Sequence, residues 1–213
     1  MSADERTRTV QDGYDAVAPR YREWLASIEG EPWERFAEEL SGRLPEAARV
    51  LDLGCGDGAK AKRLAEHFQV VGVDISKEQV QRARAQTPEA TFVQADFAEI
   101  DFPAEAFDAV VALYSIMHLP RDRHPELFAR VFRWLKSGGL FLAALSTTGG
   151  PDRIESWLGV AMFFSGWSAE TNSRLVREAG FELLVDEEMP MREPEPESDY
   201  ETAFLWLLAR KPE

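Results

Sequence analysis

The sequence predicts an α/β protein built on a doubly wound, mostly parallel sheet with helices on both faces. Three observations carry this prediction. From Arg49 onward, short apolar runs typical of strands alternate with stretches of helical periodicity, and such alternation implies a parallel sheet. One run, Val50 to Leu53, leads into a glycine-dense turn and then a helical stretch, as in a nucleotide cradle. The 213 residues suffice for one well-buried domain, and we find no internal repeat and no second domain.

The N-terminal part, residues 4 to about 43, precedes this alternation and is predicted to be helical. Its apolar residues recur at steps of three and four and form one stripe: Tyr14, Val17, Tyr21, Trp24, Leu25 and Ile28. Pro19 interrupts the stripe, so we expect a kink or two short helices there. Glu31-Pro32 marks the start of a further helix, which ends between Gly42 and Pro45.

The middle of the chain contains five predicted strands and the helices that connect them. The strands are expected at 49–53, 69–74, 91–95, 107–113 and 139–146, and the helices at 58–67, 76–86 and 123–135. Ser76 is the expected N-cap of the second of these helices, since its hydroxyl can accept from a free N–H of the first turn.

The C-terminal part begins with an aromatic insert at about 150–168. A helix is expected from Ser168 to Ala179 and is stopped by Gly180. The last two strands are expected at 181–186 and 203–209. The acidic, proline-spaced stretch between them, residues 186–197, predicts a mobile hairpin connection.

Composition and charge narrow the classes of function. Lys and Arg number 24 against 38 Asp and Glu, for a net charge of −14, and such a surface repels nucleic acid and favours a neutral or cationic ligand. No apolar run approaches the ~20 residues of a membrane span, and the polar start of the chain is not typical of a signal peptide. Cys55 is the only cysteine, which fits a reducing cytoplasm. We therefore expect a cytoplasmic protein, monomeric or homodimeric, with neither nucleic acid nor membrane as partner.

Five segments follow one another at spacings that match a known family: Leu51 to Gly58, Val70 to Ser76, Gln94 to Phe97, Phe107 to Leu113 and Leu135 to Leu142. They resemble the motifs of class I S-adenosylmethionine-dependent methyltransferases, over about Arg49 to Leu145. The resemblance implies a seven-stranded sheet whose last strand inserts antiparallel. It also implies S-adenosylmethionine as cofactor and S-adenosylhomocysteine as product. Residues 13–21 resemble the helix that closes over the cofactor in many small-molecule methyltransferases, so we expect a helical cap over residues 1–45 and a core over 46–213.

Asp52 helps to separate two ligands that such a turn can hold. The pattern Gly54-x-Gly56-x-x-Ala59 also satisfies the loose dinucleotide motif. A dinucleotide would bring a doubly negative pyrophosphate close to the Asp52 carboxylate, which would repel it. S-adenosylmethionine instead brings an ammonium and a sulfonium, and both are favoured by a nearby acid.

The resemblance assigns cofactor contacts along the strand ends. Asp52 and Tyr21 would lie near the methionine moiety, and Asp74 would accept from the ribose hydroxyls. Asp96 would accept from the adenine amino group. The remaining predicted contacts are backbone or packing contacts of Gly54, Cys55, Gly56, Ile75, Phe97, Leu113 and Tyr114. For several of these positions a purely structural role, such as core packing or helix capping, is the alternative.

Two residues are candidates for catalysis. His118 follows the fourth predicted strand, where ligands of open α/β sheets bind, so it could remove a proton from an acceptor. Tyr14 would approach the acceptor by the likeness of residues 13–21; packing is the alternative for both residues. His67 and His124 are expected to be solvated, and no histidine has metal-ligand spacing.

The sequence therefore predicts an enzyme that transfers a methyl group from S-adenosylmethionine to a small or medium-sized organic acceptor. A peptide or protein acceptor is the alternative within this reaction. An NAD-dependent oxidoreductase and a cofactor-binding relic without turnover are alternatives from other classes. Asp52 argues against NAD, and the acids Asp52, Asp74 and Asp96 together argue against a relic.

Overall fold

The computed structural model describes residues 3–28, 30–191 and 202–213, and within these ranges it has six α-helices, two short 3-10 helices (Ile116–His118 and Arg121–Arg123) and nine strands. The helices are α1 (Ala3–Ser27), α2 (Trp33–Arg43), α3 (Ala59–Ala65), α4 (Lys77–Gln86), α5 (His124–Trp134) and α6 (Ala169–Glu178). The strands are β1 (Arg49–Leu53), β2 (Gln69–Asp74), β3 (Thr91–Gln94), β4 (Phe107–Leu113), β5 (Leu135–Ser146), β6 (Arg153–Trp157), β7 (Val160–Phe164), β8 (Glu182–Met191) and β9 (Thr202–Arg210).

Seven strands form one sheet in the order β3-β2-β1-β4-β5-β9-β8. The pairs from β3 to β5 are parallel, and β9 runs antiparallel to both of its neighbours. This confirms the doubly wound sheet with an antiparallel last strand. The chain reverses its direction of travel across the sheet between β1 and β4. In open α/β sheets, ligands bind beyond the carboxyl ends of the strands at this kind of reversal.

Each face of the sheet carries its own apolar core. On one face α2, α3 and α4 pack through residues such as Phe36 and Leu64, and Phe36 stacks on Trp206 of β9 at 4.9 Å between ring centroids. On the other face α5 and α6 pack through residues such as Phe128 and Val176. Burial of a large apolar side chain contributes about 1.5–3 kcal/mol, so these two layers hold the strand ends in place.

The two N-terminal helices have different environments. α1 lies outside both sheet cores and packs on β7, where Val10 joins Met162 and Phe163 in a third, small cluster. α2 instead packs in the main core, since its apolar side is fully covered by the sheet. Of the two helices in the segment expected to form a cap, residues 1–45, only α1 lies outside the sheet cores. α1 is one continuous helix that includes Pro19, so the alternative of two short helices is wrong.

Two segments are more regular than their composition predicts. The aromatic insert forms the antiparallel hairpin β6–β7, with Arg153 opposite Phe164 and Trp157 opposite Val160. The first part of the expected mobile connection, residues 186–191, extends β8 and pairs with β9. The acidic residues and Pro190 are tolerated because β8 is the edge strand of the sheet. The rest of that connection, residues 192–197, lies outside the described residues.

His124 is buried, contrary to the expectation of a solvated side chain. Its Nε2 lies 3.0 Å from the carbonyl oxygen of Leu119, and burial lowers its pKa to about 4. The ring faces inward because His124 is the first residue of α5, whose buried side packs on the sheet. His67 is exposed, as expected. Among the described helices, none has the length and apolar character needed to cross a membrane.

Candidate active site

The glycine turn after β1 is shaped by a close approach to the turn after β4. Gly54, Gly56 and Gly58 have φ of 76°, 53° and 81°, values that favour glycine. A Cβ on Gly54 would lie 2.3 Å from the Cβ of Ser115. The Gly54 and Cys55 N–H groups both donate to the Val73 carbonyl, at 2.7 and 3.1 Å. The turn therefore runs directly beside the ends of β2 and β4.

Asp74, the last residue of β2, organises this turn. One of its carboxylate oxygens accepts from the Gly56 N–H at 2.8 Å, and the other accepts from the Ser76 N–H at 2.9 Å. Ser76 in turn caps α4, as predicted, by accepting from the Gln79 N–H. Burial raises the pKa of Asp74 to about 6. Two backbone donors thus hold a carboxylate that forms no ion pair with any described side chain.

Asp52 adds a second buried acid. It is 4% exposed at the end of β1, and its Oδ2 has no hydrogen-bond partner among the described residues. Burial raises its pKa to about 7, although the charge of Lys60 opposes the shift. Lys60 itself is paired with Glu31. An unpaired, buried carboxylate is costly, so the site favours a ligand that brings positive charge or hydrogen-bond donors.

α1 crosses the carboxyl edge of the sheet and contacts the turns after several strands. Arg6 pairs with Asp96 after β3, Asp15 accepts from the Ser76 hydroxyl after β2, and Arg22 pairs with Asp57 in the glycine turn. The distances are 2.8, 2.5 and 2.7 Å. Tyr21 covers the same turn, with a ring carbon 3.6 Å from the Cβ position of Gly56. α1 is therefore a closed cover over this edge.

Tyr14 and His118 form a hydrogen-bonded pair beneath α1. The Tyr14 hydroxyl lies 2.8 Å from Nε2 of His118, and Nδ1 of His118 lies 2.8 Å from the carbonyl oxygen of Phe163. Because a carbonyl only accepts, Nδ1 carries the hydrogen, and the Tyr14 hydroxyl donates to Nε2. Burial lowers the pKa of His118 to about 4 and raises that of Tyr14. The structure thus connects the two candidate catalytic residues in one chain of hydrogen bonds.

Aromatic rings from α1 and the β6–β7 hairpin surround this pair. Trp157 contacts Tyr14, Tyr21 and Trp24, with centroids 5.6, 6.2 and 5.1 Å apart. Phe164 lies against the His118 ring at 5.3 Å. These edge-on and tilted contacts leave apolar ring surface beside polar hydroxyl and imidazole groups, a lining suited to an organic molecule.

The other predicted cofactor-binding residues lie in different environments. Ile75 packs beside the third cluster, near Tyr14 and Val10. Tyr114 has a φ of 58°, unusual for a residue with a side chain, and its ring packs on Phe204 and Trp206. The side chains of three residues lie in the sheet cores, so only their backbone or a small exposed edge is available to a ligand: Cys55, Phe97 and Leu113.

Four site residues were not predicted from the sequence: Arg6, Asp15, Arg22 and Ser115. A signal for three of them is present in α1. The pairs Arg6-Thr7, Tyr14-Asp15 and Tyr21-Arg22 recur at steps of seven or eight residues, which is about two helical turns. Polar residues at that spacing share one helix face with aromatic ones. Within the described ranges no group of His, Cys, Asp and Glu side chains is arranged to hold a metal ion.

Comparisons with known proteins find relatives among methyltransferases. Residues 50–139 match the model of a family described as "Methyltransferase domain". The chain is 34% identical over 152 residues to 27-O-demethylrifamycin SV methyltransferase of Amycolatopsis mediterranei, covering 61% of this chain and 55% of that protein. It is 40% identical over 111 residues to trans-aconitate 2-methyltransferase of Variovorax paradoxus, covering 50% and 42%. The chain thus spans about half the length of these curated relatives.

Solved structures show the same fold. The 1,6-didemethyltoxoflavin-N1-methyltransferase of Burkholderia thailandensis matches with a TM-score of 0.73. That structure contains bound 1,6-didemethyltoxoflavin and S-adenosylhomocysteine. The match is 20% identical and covers 100% of this chain and 92% of that one. The cyclase SpnF matches with a TM-score of 0.71 at 21% identity, covering 97% of each chain. At such identities the likeness shows the fold alone, and one fold serves more than one reaction.

The strand order, the glycine turn and the acids at the strand ends define a Rossmann-like fold of the class I methyltransferase type. The matched segment 50–139 contains the glycine turn and both buried acids. Residues 50–139 thus match a methyltransferase domain, and the chain as a whole has the fold of the methyltransferase structure compared above.

Proposed function

We propose that this protein transfers a methyl group from S-adenosylmethionine to a small or medium-sized organic acceptor. The observation that carries the proposal is the pair of buried acids, Asp52 and Asp74, at the glycine turn: neither forms an ion pair with a described side chain, and Oδ2 of Asp52 has no hydrogen-bond partner among the described residues. A ligand with an ammonium, a sulfonium and a pair of ribose hydroxyls matches this unmet negative charge. The relatives named above act on small molecules, which supports the acceptor class.

The residues at the turn fit this cofactor. Asp52, with its unpaired oxygen, would hold the methionine end beneath Tyr21, and Asp74 would accept from the ribose. Ile75, Asp96 and the backbone of Phe97 would surround the adenine. The backbone of the remaining turn residues would contact the rest: Gly54, Cys55, Gly56, Leu113 and Tyr114. When bound, S-adenosylmethionine supplies an electrophilic methyl group and leaves as S-adenosylhomocysteine.

The chain's own contribution is chiefly alignment. Holding two reactants in line supplies roughly 7–11 kcal/mol, whereas a positioned base adds about 10²–10⁴-fold. α1 and the β6–β7 hairpin close over the edge of the sheet, where they exclude water from the reacting groups. Their rings, among them Tyr14, Trp24 and Trp157, would orient the acceptor. This enclosure favours a small acceptor over a polypeptide.

A calorimetric titration tests the proposal. The protein is expected to bind S-adenosylhomocysteine and S-adenosylmethionine with micromolar-range affinity and not to bind NAD, since Asp52 repels a pyrophosphate. The affinity for S-adenosylhomocysteine is expected to rise by about two orders of magnitude from pH 5 to pH 7. The sign follows from the raised pKa values of about 7 and 6 for Asp52 and Asp74: both acids are largely protonated at pH 5, and an ammonium binds the ionised forms.

Two outcomes of the titration contradict the proposal. Tight NAD binding without S-adenosylhomocysteine binding would assign the turn to a dinucleotide. An affinity that stays flat between pH 5 and pH 7 would show that the buried acids do not meet the ligand. Proton release on binding near pH 6.5, measured in buffers of different ionisation enthalpy, provides an independent check.

We further propose that Tyr14 and His118 accept the proton that some acceptors release. The Tyr14 oxygen would take this proton while its own hydrogen moves to Nε2 of His118, along the existing 2.8 Å contact. With an acceptor found by screening small molecules against radiolabelled S-adenosylmethionine, Tyr14→Phe is expected to lower kcat by about 10²-fold or more. The affinity for S-adenosylhomocysteine should stay within about twofold. Wild-type turnover in this variant would return both residues to a packing role.

A further inference from the structure

Arg6 contacts two turns of the chain. The turn after β3 carries Asp96, which the resemblance assigns to adenine binding, and the turn after β4 carries His118, a candidate for catalysis. The guanidinium of Arg6 is buried, with the residue 5% exposed. Nη2 donates to Oδ2 of Asp96 at 2.8 Å, and Nη1 donates to the carbonyl oxygen of His118 at 3.2 Å. The hydroxyl of Thr7 donates to the same Oδ2 at 3.1 Å. Two neighbouring residues of α1 thus fix one oxygen of the acid after β3.

The other oxygen of Asp96 is only partly used. Its Oδ1 accepts from the Ala98 N–H at 2.9 Å. A carboxylate accepts about four hydrogen bonds, and described residues supply three of them. One acceptor position on Oδ1 therefore remains when these three donors are in place. Nε of Arg6 is also buried without a partner among the described residues, so the ion pair retains one unfilled donor as well.

The positive charge of Arg6 affects the remaining acceptor position on Oδ1 of Asp96. The side chain of Asp96 is 11% exposed and that of Arg6 is 6% exposed, so solvent screens the pair weakly. Removing one partner of a buried pair leaves an uncompensated charge that must turn or become hydrated. A reoriented or hydrated Asp96 no longer presents a fixed acceptor, and then it no longer distinguishes a donor on the ligand from an acceptor.

We propose that Arg6, assisted by Thr7, is a positioning residue that holds Asp96 in the orientation that accepts from the 6-amino group of a bound adenine nucleoside. The helix that covers the site thereby helps to determine which base the site accepts. This inference rests on the proposed function. It extends the site to α1 residues more than 40 positions before the glycine turn.

The test compares S-adenosylhomocysteine with S-inosylhomocysteine, in which an oxygen replaces the 6-amino group. Calorimetric Kd values give a discrimination ratio for each variant. The wild type is expected to prefer the amino form by at least about tenfold, as for a hydrogen bond to a charged group. Arg6→Met is expected to reduce this ratio to about one. Arg6→Lys, which keeps the positive charge, is expected to restore part of it.

The ratio of the two Kd values distinguishes a positioning role of Arg6 from a structural one, because a loss of structure weakens the binding of both nucleosides equally. Arg8→Met is the matched control, since Arg8 is exposed on the same helix and the charge change is identical. Thr7→Val removes the second donor while keeping the side-chain shape, and it carries the test if Arg6→Met does not fold; a reduction of about threefold is expected.

An unchanged ratio in both Arg6→Met and Thr7→Val overturns the inference while the proposed function stands. A wild-type protein that binds neither nucleoside overturns the proposed function, and the inference falls with it. A wild type that binds both nucleosides equally well overturns the inference alone.

Discussion

Asp74→Asn is expected to weaken the binding of S-adenosylhomocysteine by about 10²–10⁴-fold. The carboxylate is proposed to accept from two ribose hydroxyls, and it already holds the Gly56 and Ser76 N–H groups. Hydrogen bonds to a charged group contribute about 1.5–3 kcal/mol each, so two lost bonds account for this range. Calorimetry measures the affinity, and urea unfolding shows whether the variant remains folded.

Asp108→Asn is the matched control for this substitution. Asp108 lies at the opposite end of the sheet, near the start of β4, where it accepts from the Arg49 N–H at 2.8 Å and pairs with Lys136. Asp108→Asn is expected to change the affinity for S-adenosylhomocysteine by less than about twofold. An ion pair as exposed as that of Asp108 and Lys136 contributes at most about 1 kcal/mol, and this contribution is to the stability of the fold and not to binding. If Asp74→Asn binds as tightly as the wild type, Asp74 does not contact the ligand.

Gly54→Ala is expected to lower the free energy of unfolding by about 2–5 kcal/mol and to abolish ligand binding. A left-handed backbone costs about 1–2 kcal/mol for a residue with a Cβ, and φ at Gly54 is 76°. The new Cβ would lie 2.3 Å from the Cβ of Ser115, and overpacking of this kind costs about 1–3 kcal/mol. Urea denaturation measures the stability and calorimetry the binding.

Alanine substitutions at two further glycines serve as controls that distinguish the cost of the left-handed backbone from the cost of the close contact. Gly138 has a φ of 75° with open space at its Cβ position, so Gly138→Ala reports the backbone cost alone. Gly42 lies in α2 with open space as well, and Gly42→Ala is expected to stabilise the protein by about 0.5–1 kcal/mol. Equal losses in Gly54→Ala and Gly138→Ala would mean that the approach of the turn to Ser115 has no energetic weight.

The sheet and its strand-end acids follow from local sequence patterns. Apolar runs bounded by turn residues fix strands such as β4, which spans residues 107–113 as predicted. Asp74 ends such a run and Asp52 is the last residue but one of another, and parallel strands bring their carboxyl ends to one edge. The sequence therefore predicts that these two residues lie at the same edge of the sheet, and their contacts with a ligand stay predictions.

What the sequence does not predict depends on tertiary contacts. The spacing of Arg6 places it on the same helix face as Tyr14 and Tyr21, but in a helix with little apolar character that spacing does not indicate that the side chain is buried. Its burial results from the crossing of α1 over the turn after β3. Likewise, acidic residues and Pro190 favour a loop in 186–191, and only the edge position of β8 makes a strand acceptable there. The inward side chain of His124 depends in the same way on how α5 docks.

The contacts of α1 also set a limit on how its length can vary. An inserted residue turns everything beyond it by about 100° and advances it by about 1.5 Å. Arg6 and Arg22 hold the turns after β3 and β1 from opposite ends of one uninterrupted helix. A single insertion or deletion between them would release one of the two ion pairs. Homologous chains that keep both pairs should therefore keep the number of residues between them, while the surface loops of the same fold are free to lengthen.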